Sequence, residues 1–165
     1  MLFKPVWLFE NQDLGKLGND DLSHWLHSST IVYDRDLNYE KDYLASSSSF
    51  NKITNVPQHP PGAGYLSSPF VYLFSLLDKY EPERTNPTGS FAYLGFFWAS
   101  LSYTLIGFCL IKKILISKGY ESNTILIFAS LVGTLAHFVT TRFMMPHAVE
   151  FFLCSCILYL LEKKK

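Results

Sequence analysis

Phe91 to Ile111, FAYLGFFWASLSYTLIGFCLI, runs for 21 residues without a charge. At ~1.5 Å of rise per residue a helix of that length matches the ~30 Å hydrocarbon core of a bilayer, and a chain this small has too little mass to bury such a helix on every side. The run therefore predicts a transmembrane helix. Two further apolar stretches extend the expectation. Asn123 to Val139 is uncharged apart from any proton on His137, and Met144 to Leu161 carries a single carboxylate, Glu150. The alternative for each stretch is a helix in the core of a soluble, all-helical protein.

Net charge is zero over the whole chain, but the two halves oppose each other. Residues 1 to 90 hold seven Lys and Arg against eleven Asp and Glu, whereas residues 91 to 165 hold seven against three. An acidic, polar segment thus precedes a basic, apolar one. Lys112, Lys113 and Lys118 follow the first span, Arg142 follows the second, and Glu-Lys-Lys-Lys closes the third. Because cytoplasmic flanks collect lysine and arginine, the sequence predicts residue 118 and the C-terminus in the cytoplasm, with residues 1 to 90 and Arg142 outside. The N-terminal MLFKPVWLFENQ is broken by Lys4, Pro5 and Glu10 and has no small-residue cleavage site, so neither a signal peptide nor a span is expected there. The simplest account of an acidic segment placed outside is a helix preceding this sequence. Cys109, Cys154 and Cys156 all fall in apolar runs and read as small hydrophobes, with no disulfide framework or zinc site.

The expected fold is an all-α membrane protein: an acidic outer loop, residues 1–90, with short amphipathic or interfacial helices, followed by three spans near 91–111, 123–139 and 144–161. Within the loop, Leu22, Trp25, Leu26 and Ile31 are spaced for a short amphipathic helix that begins near Asp20 and Asp21, whose carboxylates suit its N-terminal end. His24 and His27 lie about one turn apart on it, a pair that suits a metal only with a third ligand, and none follows at suitable spacing. Gly62 to Leu77 is apolar, short and interrupted by Gly64 and Pro69. It reads as a helix at the membrane interface rather than a span.

Three motifs carry a resemblance. Asp20-Asp21 on a short helix, then YDRDLNYEKDY, then HPPGAGYL ahead of the first full span resemble the first outer loop of membrane glycosyltransferases of the GT-C fold, such as protein O-mannosyltransferases and aminoarabinose transferases. His59 stands where that family's K-P-P-L-like stretch has lysine, and MMPHAVEFF is similar to the proline-histidine pair that opens a later span in some bacterial members. The resemblance covers most of this chain but only the first third or so of such an enzyme.

It implies transfer of a sugar from a polyprenyl-phosphate donor at the outer face of a bacterial inner membrane. Membrane lipids and a further transmembrane subunit or remainder of the enzyme would be partners, and no nucleic acid is expected. Asp20 and Asp21 become the general-base candidates, with a slight preference for Asp20. His59, Arg142 and His147 become candidates for the lipid phosphate. Asp34 and Asp36 become candidates for a divalent cation. Each has a plainer reading: Arg142 reaching to headgroups, His59 capping a turn, Asp34 and Asp36 on a solvated loop. His147 and Glu150 lie on one helical face, so they pair or serve a function, since a carboxylate at membrane depth costs about 2.5 kcal/mol or more unless sheltered. The alternative to an enzyme is a small non-enzymatic membrane protein or assembly partner.

Overall fold

The computed structural model describes residues 19–45, 56–120 and 135–164. Among them the structure is helical, without a named strand: α1 (Asn19–Ser29), α2 (Glu40–Ala45), α3 (Gly62–Ser75), α4 (Phe91–Ser117) and α5 (His147–Lys163). Residues 135–140 are also helical.

The predicted amphipathic helix near Asp20 is present as α1, but it is not a surface helix. Leu22, Trp25 and Leu26 are buried as expected, and so are Ser23, His24, His27 and Ser28 on the faces between them. Small side chains make this possible by letting a neighbouring backbone approach. A Cβ at Gly64 of α3 would sit 2.5 Å from the carbonyl oxygen of His24 and 2.6 Å from Cβ of His27. Glycine at 64 is therefore the seam between α1 and α3, not the helix breaker its composition suggested. After Ser29 the chain loosens into a π-helical turn, Thr30–Asp34, which closes on Arg35 in the left-handed conformation.

α3 runs unbroken through Pro69. Proline there forfeits one ladder hydrogen bond, but packing on two sides holds the helix: Val71 is fully buried, and a Cβ at Gly95 would meet the Phe70 carbonyl at 2.7 Å. At 14 residues α3 is about 21 Å long, too short to cross a bilayer. It lies antiparallel to the first half of α4, since Tyr103 donates to the Leu66 carbonyl near one end while Asp78 accepts from the Phe91 and Ala92 amides near the other. Asp78 and Ser90, whose Oγ accepts from Tyr93 N, together satisfy the donors that open α4.

α4 is the one described helix long and apolar enough to cross a membrane. Its 27 residues amount to about 40 Å, and its two halves differ. Ala92, Phe96, Phe97, Ala99 and Ser100 are buried among the other elements, whereas Leu105, Ile106 and Ile116 are exposed.

Of the other expected spans, 123–139 lies outside the described residues except for its last turn. The third forms α5, starting at His147 rather than Met144. Its 17 residues hold only eleven uncharged positions in a row, between Glu150 and Glu162. Of the three expected spans, one is matched by a described helix long and apolar enough to cross a membrane. α5 runs in the same direction as α4. Ser100 Oγ donates to the Phe143 carbonyl just before α5, Gly107 receives the Phe151 ring, and Lys118 pairs with Glu162 at 2.7 Å where both helices end.

Candidate functional site

The first turns of α1, the 56–60 loop ahead of α3 and the turn before α5 converge beside the Phe91 half of α4. Four residues singled out from sequence meet there. Arg142 Nε donates to Asp21 Oδ2 at 3.1 Å, and His59 Nε2 lies 3.4 Å from Asp20 Oδ1. Two carboxylates adjacent in sequence are thus each met by a cationic or ionisable group from a distant segment. His147, the fifth, pairs with Glu150 at 3.2 Å and stacks edge-on against Phe138, with ring centroids 4.2 Å apart. Glu150 itself is exposed, so pairing, one of its two readings, is the arrangement found.

The geometry separates the two base candidates. Asp20 is half exposed and faces His59. Asp21 is buried, and Arg142 fixes its Oδ2 while Oδ1 is buried without a hydrogen-bond partner. Burial pushes the Asp21 carboxyl above the ordinary range, with the Asp20 charge adding to the rise and the Arg142 charge and hydrogen bond opposing it. A buried, oriented carboxylate with one free oxygen and raised basicity has the features of a proton acceptor. Asp21, rather than the slightly preferred Asp20, carries them.

The two histidines of α1 have divided roles. His27 Nε2 donates to the His59 carbonyl at 2.9 Å, so in the neutral ring Nδ1 accepts from the Tyr39 hydroxyl at 2.8 Å. Burial, foremost, lowers the His27 pKa and keeps the ring neutral. Tyr39 has then spent its proton, and the Tyr65 hydroxyl donates to it at 3.0 Å. This chain, with Ser23 Oγ accepting from the His59 amide at 3.1 Å, clamps the 56–60 loop onto α1 and so holds His59 over Asp20. His24 is different: 1% exposed, with neither ring nitrogen partnered, and its centroid 5.5 Å from that of His59. Burial, then the neighbouring His59 and His27, hold its pKa down to about 4.

Asp34 and Asp36, the expected cation ligands, are attached elsewhere and differently. Asp34 Oδ1 takes Lys41 at 2.9 Å and Arg84 at 3.0 Å, while Asp36 accepts from the Asn38 amide in an exposed turn. Burial works to raise the Asp34 pKa, but the bonds and charges of Lys41 and Arg84 outweigh it and the net shift is downward. Arg84 also reaches Asp42 at 3.2 Å and Glu81 at 2.6 Å. Among the described residues no three His, Cys, Asp or Glu side chains are grouped to hold a metal ion.

Arg84, Asp42 and Tyr39 were not singled out from sequence, because nothing in their spacing shows what they meet. His24 had a legible signal in its position three residues after Asp21 on one helical face. Compared with known proteins, the chain matches no family model, no curated protein and no solved structure.

Proposed function

We propose that this chain forms part of a GT-C-like glycosyltransferase that moves a sugar from a polyprenyl-phosphate donor to an acceptor at the outer face of a bacterial inner membrane. The observation that carries the reading is the pairing of Asp21 with Arg142. It sets a buried carboxylate with one free oxygen beside a half-exposed guanidinium, next to the only described helix able to cross a bilayer. In the reaction the acceptor's proton passes to Asp21 Oδ1 and its oxygen forms a bond to the anomeric carbon. The bond from that carbon to the phosphate oxygen breaks, and its electron pair leaves with the phosphate, which Arg142 and His147 receive. Asp21 then returns the proton to solvent.

The three-span topology is part of this proposal. α4 and α5 run parallel, which is what the first and third of three consecutive spans must do, and Lys118 and Glu162 then lie together at the cytoplasmic face. α3 enters the outer leaflet against α4. Further helices, from a subunit or from the remainder of the enzyme, enclose the lipid-linked donor, because three spans cannot wall a cavity for it. Impermeant thiol reagents should reach a cysteine placed at position 142 and miss one placed at 164.

The decisive measurement is transfer from a radiolabelled polyprenyl-phosphate sugar in inner-membrane vesicles carrying the chain. Asp21→Asn should lower transfer by about 10²–10⁴-fold with insertion unchanged, and Asp20→Asn should lower it less. Full transfer by Asp21→Asn would remove it as the base, and loss of insertion alongside activity would make it a folding residue.

A further inference from the structure

The clamp and the ion pairs leave a set of polar atoms on three neighbouring side chains unbonded. Both nitrogens of His24, Oδ1 of Asp21 and Nδ1 of His59 are shielded from solvent and have no hydrogen-bond partner among the described residues. Asp21 and His24 are three residues apart on one face of α1, and the His24 and His59 rings are neighbours. A buried polar atom without a partner costs about 1–3 kcal/mol. Here four of them gather on three neighbouring charged or ionisable side chains, unlike the single unpartnered atoms of Trp25, Tyr33, Asp34, Ser67 and Thr104.

We propose that Asp21 Oδ1, the His24 ring and His59 Nδ1 form a subsite for a neutral ligand bearing hydroxyl groups, so that the acceptor of the transfer reaction is an alcohol rather than a phosphate or an amine. The assignment of this ligand as acceptor rests on the glycosyltransferase reading; the binding itself does not.

The argument is an inventory of donors and acceptors. Asp21 Oδ1 only accepts. His59 directs Nε2 at the Asp20 carboxylate, and in the tautomer that carries its proton on Nε2 the Nδ1 atom accepts. His24, kept neutral by burial and by the imidazoles beside it, offers one donor and one acceptor. The site therefore presents several acceptors and one donor. A phosphate brings acceptors almost alone and would face the Asp21 carboxylate. An ammonium brings donors alone, leaves the His24 N–H unpaired and meets the like charge of Arg142. A hydroxyl donates once and accepts as well, so three hydroxyls on adjacent carbons donate to the three acceptors while one of them accepts from the His24 N–H. One of them, hydrogen-bonded to Asp21 Oδ1, is placed for deprotonation.

The test is a binding titration on the full chain in lauryldimethylamine oxide micelles at pH 7, with histidines labelled with ¹⁵N. Octyl β-glucoside, octyl phosphate and octylamine are the probes. The glucoside should shift the His24 and His59 ring nitrogens saturably, and phosphate and amine should leave His24 unmoved. His24→Phe should weaken glucoside binding at least tenfold, while His24→Gln, which keeps a donor and an acceptor, should retain most of it and report that the fold is intact. Equal shifts from the phosphate or the amine would overturn the proposal, as would no shift from the glucoside, which would assign these atoms to structural water only. Glucoside binding without any sugar transfer in membranes would leave the subsite standing and remove the glycosyltransferase reading. Transfer to a phosphate or amine acceptor would do the reverse.

Discussion

Two groups of carboxylates occupy the first ninety residues, and the fold treats them in opposite ways. Around Arg84 the acids are tied to cations: Asp42 has one oxygen on the guanidinium and the other on the Thr30 hydroxyl at 2.5 Å, and Asp34 Oδ1 is shared by Lys41 and Arg84. Around Arg142 each acid has one partner, and unbonded atoms remain on Asp21, His24 and His59. Both clusters are acid-dense in the sequence. What distinguishes them is how many cations packing brings to each carboxylate: Asp34 takes both Lys41 and Arg84, and Arg84 also reaches Asp42 and Glu81, although Asp34 Oδ2 is buried without a partner among the described residues. The first arrangement fastens the π-helical turn, α2 and the 81–84 segment into one body; in the second, each carboxylate meets a single partner from a distant segment.

The sharpest way to break this contrast is Arg84→Ala. It strands Asp42, which is fully buried, and should cost about 3 kcal/mol or more of stability in detergent unfolding. Arg142→Ala removes a half-exposed partner but leaves the buried Asp21 carboxylate without one, so it should cost about 1–3 kcal/mol, less than Arg84→Ala, while abolishing the proposed transfer. Similar losses of stability from the two changes would erase the distinction between the two clusters.

Gly64→Ala comes next. Its methyl group would press on the His24 carbonyl, which is backbone and cannot step aside, so α1 and α3 must separate at a cost of about 2 kcal/mol. Because α1 bears Asp21 and His24, glucoside binding should weaken with it. Gly107→Ala, which meets mainly the Phe151 ring, should cost less and leave binding alone.

The pH dependence sharpens the comparison on a smaller scale. The folded-state pKa of His24 lies below its unfolded value of 6.5, at about 4. Its contribution to stability is therefore fully present above pH 6.5 and is lost as pH falls toward 4, at a limiting slope of about 1.4 kcal/mol per pH unit. His27 acts in the same direction. Asp21 and Asp42, whose folded pKa values are raised, act in the opposite one. Unfolding midpoints measured across pH 4–7 should drop on acidification in the native chain, and the drop should be shallower in His24→Phe. Parallel curves would mean that His24 is protonated in the fold and not held neutral.

The smallest effect is expected at Asp36. Asp36→Ala removes an exposed turn bond and should change stability by no more than about 0.5 kcal/mol.

Much of the architecture was legible because it depends on local pattern. An uncharged run of 21 residues reads as a long apolar helix wherever it is placed, and α4 begins at the same Phe91. The spacing of Leu22, Trp25 and Leu26 gave α1, and the residue types at Asp20, Asp21, His59 and Arg142 marked them as chemically able. Periodicity did not show that α1 is buried on all sides, since that depends on how near a second backbone can come. It also did not separate Asp20 from Asp21. Neighbours on a helix differ in direction by about 100°, and only the surrounding helices decide which direction is the interior.

By itself, then, the sequence determined α1, α3 and α4, their order and the chemical groups available, because helix formation follows from spacing along one chain. Tertiary structure alone decided which groups meet. Arg142 reaches Asp21 across 121 positions, and Arg84 gathers acids 42 and 50 positions away. No local signal encodes such pairings. They arise because packing helices face to face fixes where each side chain ends, and whether a carboxylate becomes a structural tie or a poised base depends on how many partners packing brings to it.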